Sequence, residues 1–172
     1  MSVAIVTDST SDLEPGVAGG LGITVVPLYV NFGGERFLDG VELTHEQFFA
    51  RMAAGGALPS TSQPTAHAFE EAYRPLVAAG RHVISIHISA KLSGTINAAR
   101  AGARAFPAAR IEHFDSLTAT AGLGLLATGA ARMARGGAGS QEILAALHAW
   151  RSSQHGFAVL PDLSHLVRGG RV

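Results

Sequence analysis

Cysteine is absent from the 172 residues, which excludes disulfide frameworks, thiolate catalysis and Cys-ligated metal centres. Lysine occurs only at Lys91, against twelve arginines, and Ala and Gly are abundant throughout. That pattern reads as a coding bias, so Arg clusters as such carry little weight. The 13 basic and 13 acidic side chains cancel, with no block of like charge. An electrostatic footprint for nucleic acid or an anionic membrane is therefore missing. No apolar run approaches the roughly 18–20 residues that a membrane span needs. Met1-Ser2 runs straight into Val3-Ala4-Ile5-Val6 without a basic leader region or a small-residue cleavage site. A cytoplasmic protein with no integral membrane segment and no nucleic-acid partner is expected.

Several motifs are missing as well. The eight histidines include no His-Glu-x-x-His or His-x-x-x-His pair, so no metal is expected. Lys91-Leu92-Ser93-Gly94-Thr95 is not a Gly-x-Ser-x-Gly nucleophile elbow. Gly122-x-Gly124 and Gly129 fall inside a helical stretch rather than at a strand-to-helix turn, where they suit close helix packing. No Walker-type phosphate loop occurs, and no cofactor is expected.

What is present is 47% hydrophobic content, enough for one domain with a sizeable core. Val3 to Thr7 is a continuous apolar run closed by Asp8-Ser9-Thr10-Ser11-Asp12, which suits a buried parallel strand feeding a helix. Ile23 to Leu28 is a second such run. Tyr29–Phe32 and Glu35–Leu38 flank Gly33-Gly34 and predict a hairpin that projects from the sheet. Thr44 caps a helix with Phe48, Phe49, Met52 and Ala53 at helical spacing, ended by Gly55-Gly56. A loop held extended by Pro59 and Pro64 leads into a helix over about 66–79.

His82 to Ser89 predicts the next strand, with Val83, Ser85, His87 and Ser89 on one face and Ile84, Ile86 and Ile88 on the other. A satisfied buried imidazole is the commoner fate of a His so placed. A helix through Ala105 follows, then a strand over 109–114, a small-residue helix over about 118–134, a helix capped by Ser140 and a last strand over 157–160. The order is β, β, hairpin, α, α, β, α, β, α, α, β. It implies an α/β fold with a largely parallel sheet covered by helices on both faces. Ligands in such sheets sit outside the carboxyl ends of strands, where the loops 8–11, 89–95 and 115–118 gather.

Ser93-Gly94-Thr95 between a strand and a helix has two readings. The free N–H groups and positive dipole end of the helix make an anion site, with Gly94 admitting a ligand close to the backbone. Alternatively Ser93 only caps the helix. Thr61 and Ser62 offer a second pair of hydroxyls, which taken alone suit turn residues. Asp8-Ser9 and Asp115-Ser116 repeat a strand-Asp-Ser pattern, whose plain reading is capping at two equivalent strand ends.

In this order, six segments carry a resemblance to the DegV family along essentially the whole chain. They are Val6-Thr7-Asp8-Ser9-Thr10-Ser11-Asp12-Leu13, Pro27-Leu28, Phe37-Leu38-Asp39-Gly40, Ser60-Thr61-Ser62-Gln63-Pro64, Leu92-Ser93-Gly94-Thr95 and Asp115-Ser116. The resemblance implies a Rossmann-like N-terminal domain of a carrier that does no chemistry itself. It implies a long-chain fatty acid whose carboxylate is hydrogen-bonded by Thr61 and Ser93. Ser62, Gly94, Thr95, Asp8, Ser9, Asp115 and Ser116 are supporting candidates. It further implies a fatty acid kinase protein that phosphorylates the presented acid and feeds phospholipid synthesis, with Arg171 as a candidate contact to that partner.

The pattern departs at its end. Residues 163–172, finishing in Gly169-Gly170-Arg171-Val172, resemble the segment that leads into the family's second domain. Residues 1–162 are thus expected to be one domain and 163–172 the start of a connection to another. The family's second-domain histidine is not carried over to His165. Asn97, and the Thr118-Ala119-Thr120 stretch, are smaller departures. If an acyl tail is bound, about ten buried methylenes contribute on the order of 8 kcal/mol before ordering costs. Each charge-assisted hydrogen bond contributes roughly 1.5–3 kcal/mol. The tail then sets affinity and the hydroxyls set register. Two other readings of the same residues stay open. One is an enzyme acting on a small anionic substrate at Ser93, with Asp8, Asp115 and His87 as acid–base partners. The other is a non-catalytic interaction domain.

Overall fold

The computed structural model describes residues 2–55, 58–157, 159, 167 and 170. The strands are β1 (Val3–Asp8), β2 (Ile23–Val26), β3 (Tyr29–Phe32), β4 (Glu35–Leu38), β5 (Ser60–Ser62), β6 (His82–His87) and β7 (Ile111–Asp115). The helices are α1 (Pro15–Leu21), α2 (His45–Ala53), α3 (Ala66–Ala78), α4 (Thr95–Ala103), α5 (Thr120–Arg135) and α6 (Ser140–Ser153), with a 3-10 turn at Ser9–Ser11.

Four strands pair as a parallel sheet in the order β2-β1-β6-β7. Every residue of β1 and β6 is buried, as strands covered on both sides must be. Val3, Ile5, Ile84, Ile86 and Ile88 face one layer, against Leu123 and Leu126 of α5 and Ile143 and Leu147 of α6. Ala4, Val6 and Val83 face the other, against Phe69 and Tyr73 of α3 and Ala98 and Ala99 of α4. The small residues of α5 do permit close packing: a side chain on Gly124 would meet the Ser11 carbonyl, and one on Gly129 would meet the Trp150 ring.

A second, antiparallel sheet runs β4-β3-β5. The hairpin β3-β4 turns at Gly33, whose φ of 59° favours glycine. The segment expected to be an extended loop, Ser60–Ser62, is instead the strand β5, pairing Thr61 with Val30. Ser-Thr-Ser has no apolar alternation to announce a strand. The free edge of β3 supplies the partner, so tertiary pairing overrides local pattern.

Three smaller expectations change. The helix after β1 is short and is separated from it by the 3-10 turn, with Pro15 in its first turn and Gly22 as its C-cap. Gly139, not Ser140, is the N-cap of α6. Of the proposed strand 157–160, Phe157 and Val159 lie in no strand, and Ala158 and Leu160 are outside the described residues. So are His165, Arg171 and nearly all of 163–172. Among the described residues no helix is long and apolar enough to cross a membrane.

The topology places the site. The chain leaves β1 toward β2 on one side and leaves β6 toward β7 on the other. The switch point lies between β1 and β6, and at such a point the carboxyl ends of the strands are where an open α/β sheet takes its ligand. The ladder between these two strands runs from Val3↔His82 only to Val6↔Ser85. On their outer sides β1 stays paired to Asp8↔Val26 and β6 to His87↔Asp115.

Candidate functional site at the carboxyl ends of the strands

Where the central ladder stops, side chains take over. Asp8 and His87 are both fully buried. Asp8 Oδ2 accepts from His87 Nδ1 at 2.9 Å and from the Ile88 amide at 3.1 Å. Its Oδ1 accepts from the Thr10 amide at 3.1 Å and from the Thr10 hydroxyl. Four donors thus surround one carboxylate, which is what a charge without solvent requires. A carboxylate only accepts, so His87 Nδ1 is the donor and Nε2 is left to accept.

The Ser85 hydroxyl lies 2.6 Å from His87 Nε2 and 2.8 Å from the Tyr73 hydroxyl. One order satisfies the row: Tyr73 donates to Ser85, Ser85 to His87, and His87 to Asp8. Phe69 closes over the imidazole edge-to-face at 5.0 Å between ring centres. Burial pushes the Tyr73 phenol well up, opposed by its hydrogen bond with Ser85. His113 Nε2 stands 3.5 Å from that phenol, and burial first, then His87, push the His113 imidazole down to about 4.

Above this floor stands the loop from Ile88 to Gly94. The Ser93 amide donates to the Ser89 carbonyl at 3.1 Å. The Ser93 hydroxyl lies 2.8 Å from that of the fully buried Thr95 and accepts from the Thr95 amide at 3.3 Å. The N-cap of α4 is Gly94, not Ser93. Ser93 still reaches the first helical N–H, so the capping reading holds in part. Among the described residues the amides of Gly94 and Ile96 take no protein acceptor, which leaves donors at a positive helix end.

Gly94 also leaves room for a neighbour that the sequence did not mark. A Cβ there would collide with the side-chain amide of Gln63. The close approach is made by the segment that carries Thr61, and this contact brings the end of β5 and the Gln63 that follows it to the start of α4. Thr61 itself is exposed on β5. Gln63 was not singled out in the sequence, although its place between the two hydroxyl segments could have marked it.

The remaining candidates brace loops. The Ser9 hydroxyl accepts from the Leu28 amide at 3.0 Å, tying the 3-10 turn to the chain beyond β2. Asp115 accepts from the Leu117 amide at 3.0 Å and from the Ala90 amide at 3.3 Å. The buried Ser116 bonds both ways with Thr118, and its amide reaches the His87 carbonyl at 3.0 Å. Asp8 caps the 3-10 turn, but the α-helices that follow are capped at Glu14 and Ala119 instead. Ser62 is half-buried and pairs with Tyr29.

A separate cavity of about 720 Å³ lies between α1, β2 and the start of α2, with Leu13, Ile23, Val25, Asp39 and His45 on its walls. Neither Thr61 nor Ser93 lines it. Asp12 at its rim has its carboxyl raised by burial, opposed by His45. Among the described residues no group of three or more His, Cys, Asp or Glu side chains is placed to hold a metal ion.

Known proteins are similar to this chain in sequence and fold. The model of the family described as "Uncharacterised protein, DegV family" matches residues 2–172. A DegV domain-containing protein of Deinococcus radiodurans is 46% identical over 147 residues, covering 86% of this chain and 52% of that protein. A solved DegV family protein from Thermus thermophilus, described for its fatty acid binding, is 40% identical with a TM-score of 0.90 and is matched over 99% of this chain and 61% of its own. A stearic acid-binding protein from Eubacterium ventriosum is 31% identical with a TM-score of 0.79, over 86% of this chain and 52% of its own. The chain spans about half to three fifths of the length of these relatives.

Proposed function

This chain belongs to the DegV family, and from that premise we propose that it holds a long-chain fatty acid by its carboxylate at the crevice between β1 and β6. The Thr61 and Ser93 hydroxyls bind the carboxylate, with the Gly94 and Ile96 amides as further donors. The observation that carries this reading is the contact of Gln63 with Gly94. It joins two hydroxyl-bearing segments, about thirty residues apart in sequence, at a helix end with unused N–H groups. The fatty-acid binding described for the Thermus and Eubacterium relatives supplies the ligand class.

In this reading the protein is a carrier rather than an enzyme. It presents the acid to a fatty acid kinase protein in the cytoplasm, Arg171 contributes to that contact, and the acyl phosphate enters phospholipid synthesis. The enzymatic alternative has no support from the groups it would need. Asp8 and His87 are fully buried and engaged with each other, and Asp115 is occupied by backbone amides. Lipid extraction and mass spectrometry of the purified full-length protein should yield a co-purified long-chain fatty acid. An empty protein that also fails to bind oleate would contradict the proposal.

A further inference from the structure

The row Asp8, His87, Ser85 and Tyr73 is more than the fold needs. The opposite face of the same strands is filled by Ile84, Ile86 and Ile88, which shows that apolar side chains suffice to pack this sheet. Placing an ionised carboxylate and an imidazole at zero exposure instead requires every donor to be in position. The question is what the arrangement holds.

It holds the loop that carries Ser93. The backbone ladder between β1 and β6 ends at Val6↔Ser85, so Asp8 and His87 at the ends of the two strands are not a ladder pair. Asp8 Oδ2 joins the two ends, taking the Ile88 amide at the first residue after β6 and the His87 imidazole beside it. From Ile88 the chain runs by the Ser89 carbonyl to the Ser93 amide and hydroxyl. Its other carboxylate oxygen fixes the Thr10 turn on the facing side of the crevice. One charged group therefore sets the separation of both walls.

A bare carboxylate at the floor of an anion site would also repel the ligand. Its four donors offset that charge, and the imidazole N–H is the one supplied by a side chain that is itself wholly buried. We infer that Asp8 and His87 form a positioning pair, which fixes the Ser93 loop and compensates the floor charge so that the crevice accepts a carboxylate. This rests on the carboxylate reading proposed above.

The test compares two polar replacements of His87 in the full-length protein, titrated with oleate and with oleyl alcohol, which has the same tail without the charge. In His87→Asn the amide nitrogen stands near the place of Nδ1 and still donates to Asp8; in His87→Gln it reaches toward the place of Nε2 and does not. His87→Gln should weaken oleate about tenfold while oleyl alcohol stays within about threefold, and His87→Asn should keep both within about threefold of wild type. Equal oleate affinity in the two variants, or a parallel loss of both ligands in His87→Gln, would overturn the pair as a positioning device while leaving the carrier reading standing. No oleate binding by the wild-type protein would overturn that reading and the pair's role with it.

Discussion

The two faces of β6 divide the molecule's work. Ile84, Ile86 and Ile88 pack into an apolar layer with α5 and α6. One residue out of phase, Ser85 and His87 enter a polar row beneath α3 that ends at Asp8. The first face contributes transfer free energy on the order of 2 kcal/mol for each large side chain buried. The second gains little net stability, because each hydrogen bond replaces one to water. What the polar face provides is geometry at one end of the sheet, and that end is where the two hydroxyl segments meet.

This division can be broken on either side. The largest effect is expected from the apolar face: Ile84→Ala should lower stability by about 2–5 kcal/mol in urea unfolding, while the ratio of oleate to oleyl alcohol affinity stays at its wild-type value. A change in that ratio would show that the faces are not independent.

The polar face should respond to pH. His113 titrates near 4 in the folded protein against about 6.5 unfolded, so between these values the unfolded state binds more protons. Stability should fall as pH is lowered from about 6.5 to about 4, by on the order of 2 kcal/mol once solvent screening of this partly exposed imidazole is allowed for, and change no further through this group outside that window. His113→Gln should flatten the slope.

A smaller effect is expected at the junction of the two segments. Gly94→Ala meets the Gln63 side chain and should lower stability by about 1–2 kcal/mol. Because the clash is with a side chain, Gln63→Ala in the same protein should restore most of the loss, which a double-mutant cycle would read as coupling. Additive effects would mean that the backbone, not Gln63, is in the way.

Much of the fold was legible because it is written in periodicities. The alternation of Val83, Ser85 and His87 with Ile84, Ile86 and Ile88 foretold both faces of β6 and the buried imidazole. The glycines of α5 announced close packing. What was not legible depends on distant partners. Ser60–Ser62 becomes a strand only because β3 offers an edge, and Asp8 meets His87 across 79 positions of sequence. The Gln63 side chain that packs against Gly94 lies 31 residues earlier in the sequence. Thr61 and Ser93 stood out as a pair only through the family resemblance, since each alone is an ordinary turn or cap residue.

The most direct test of the proposed carboxylate site removes the two hydroxyls assigned to it. Full-length Thr61→Val/Ser93→Ala and the wild-type protein would be titrated with oleate and with oleyl alcohol. Loss of about 2–4 kcal/mol for oleate, on the order of 1–2 kcal/mol per hydroxyl, with oleyl alcohol binding unchanged, is the predicted result. Undiminished oleate binding in the double variant would contradict the account.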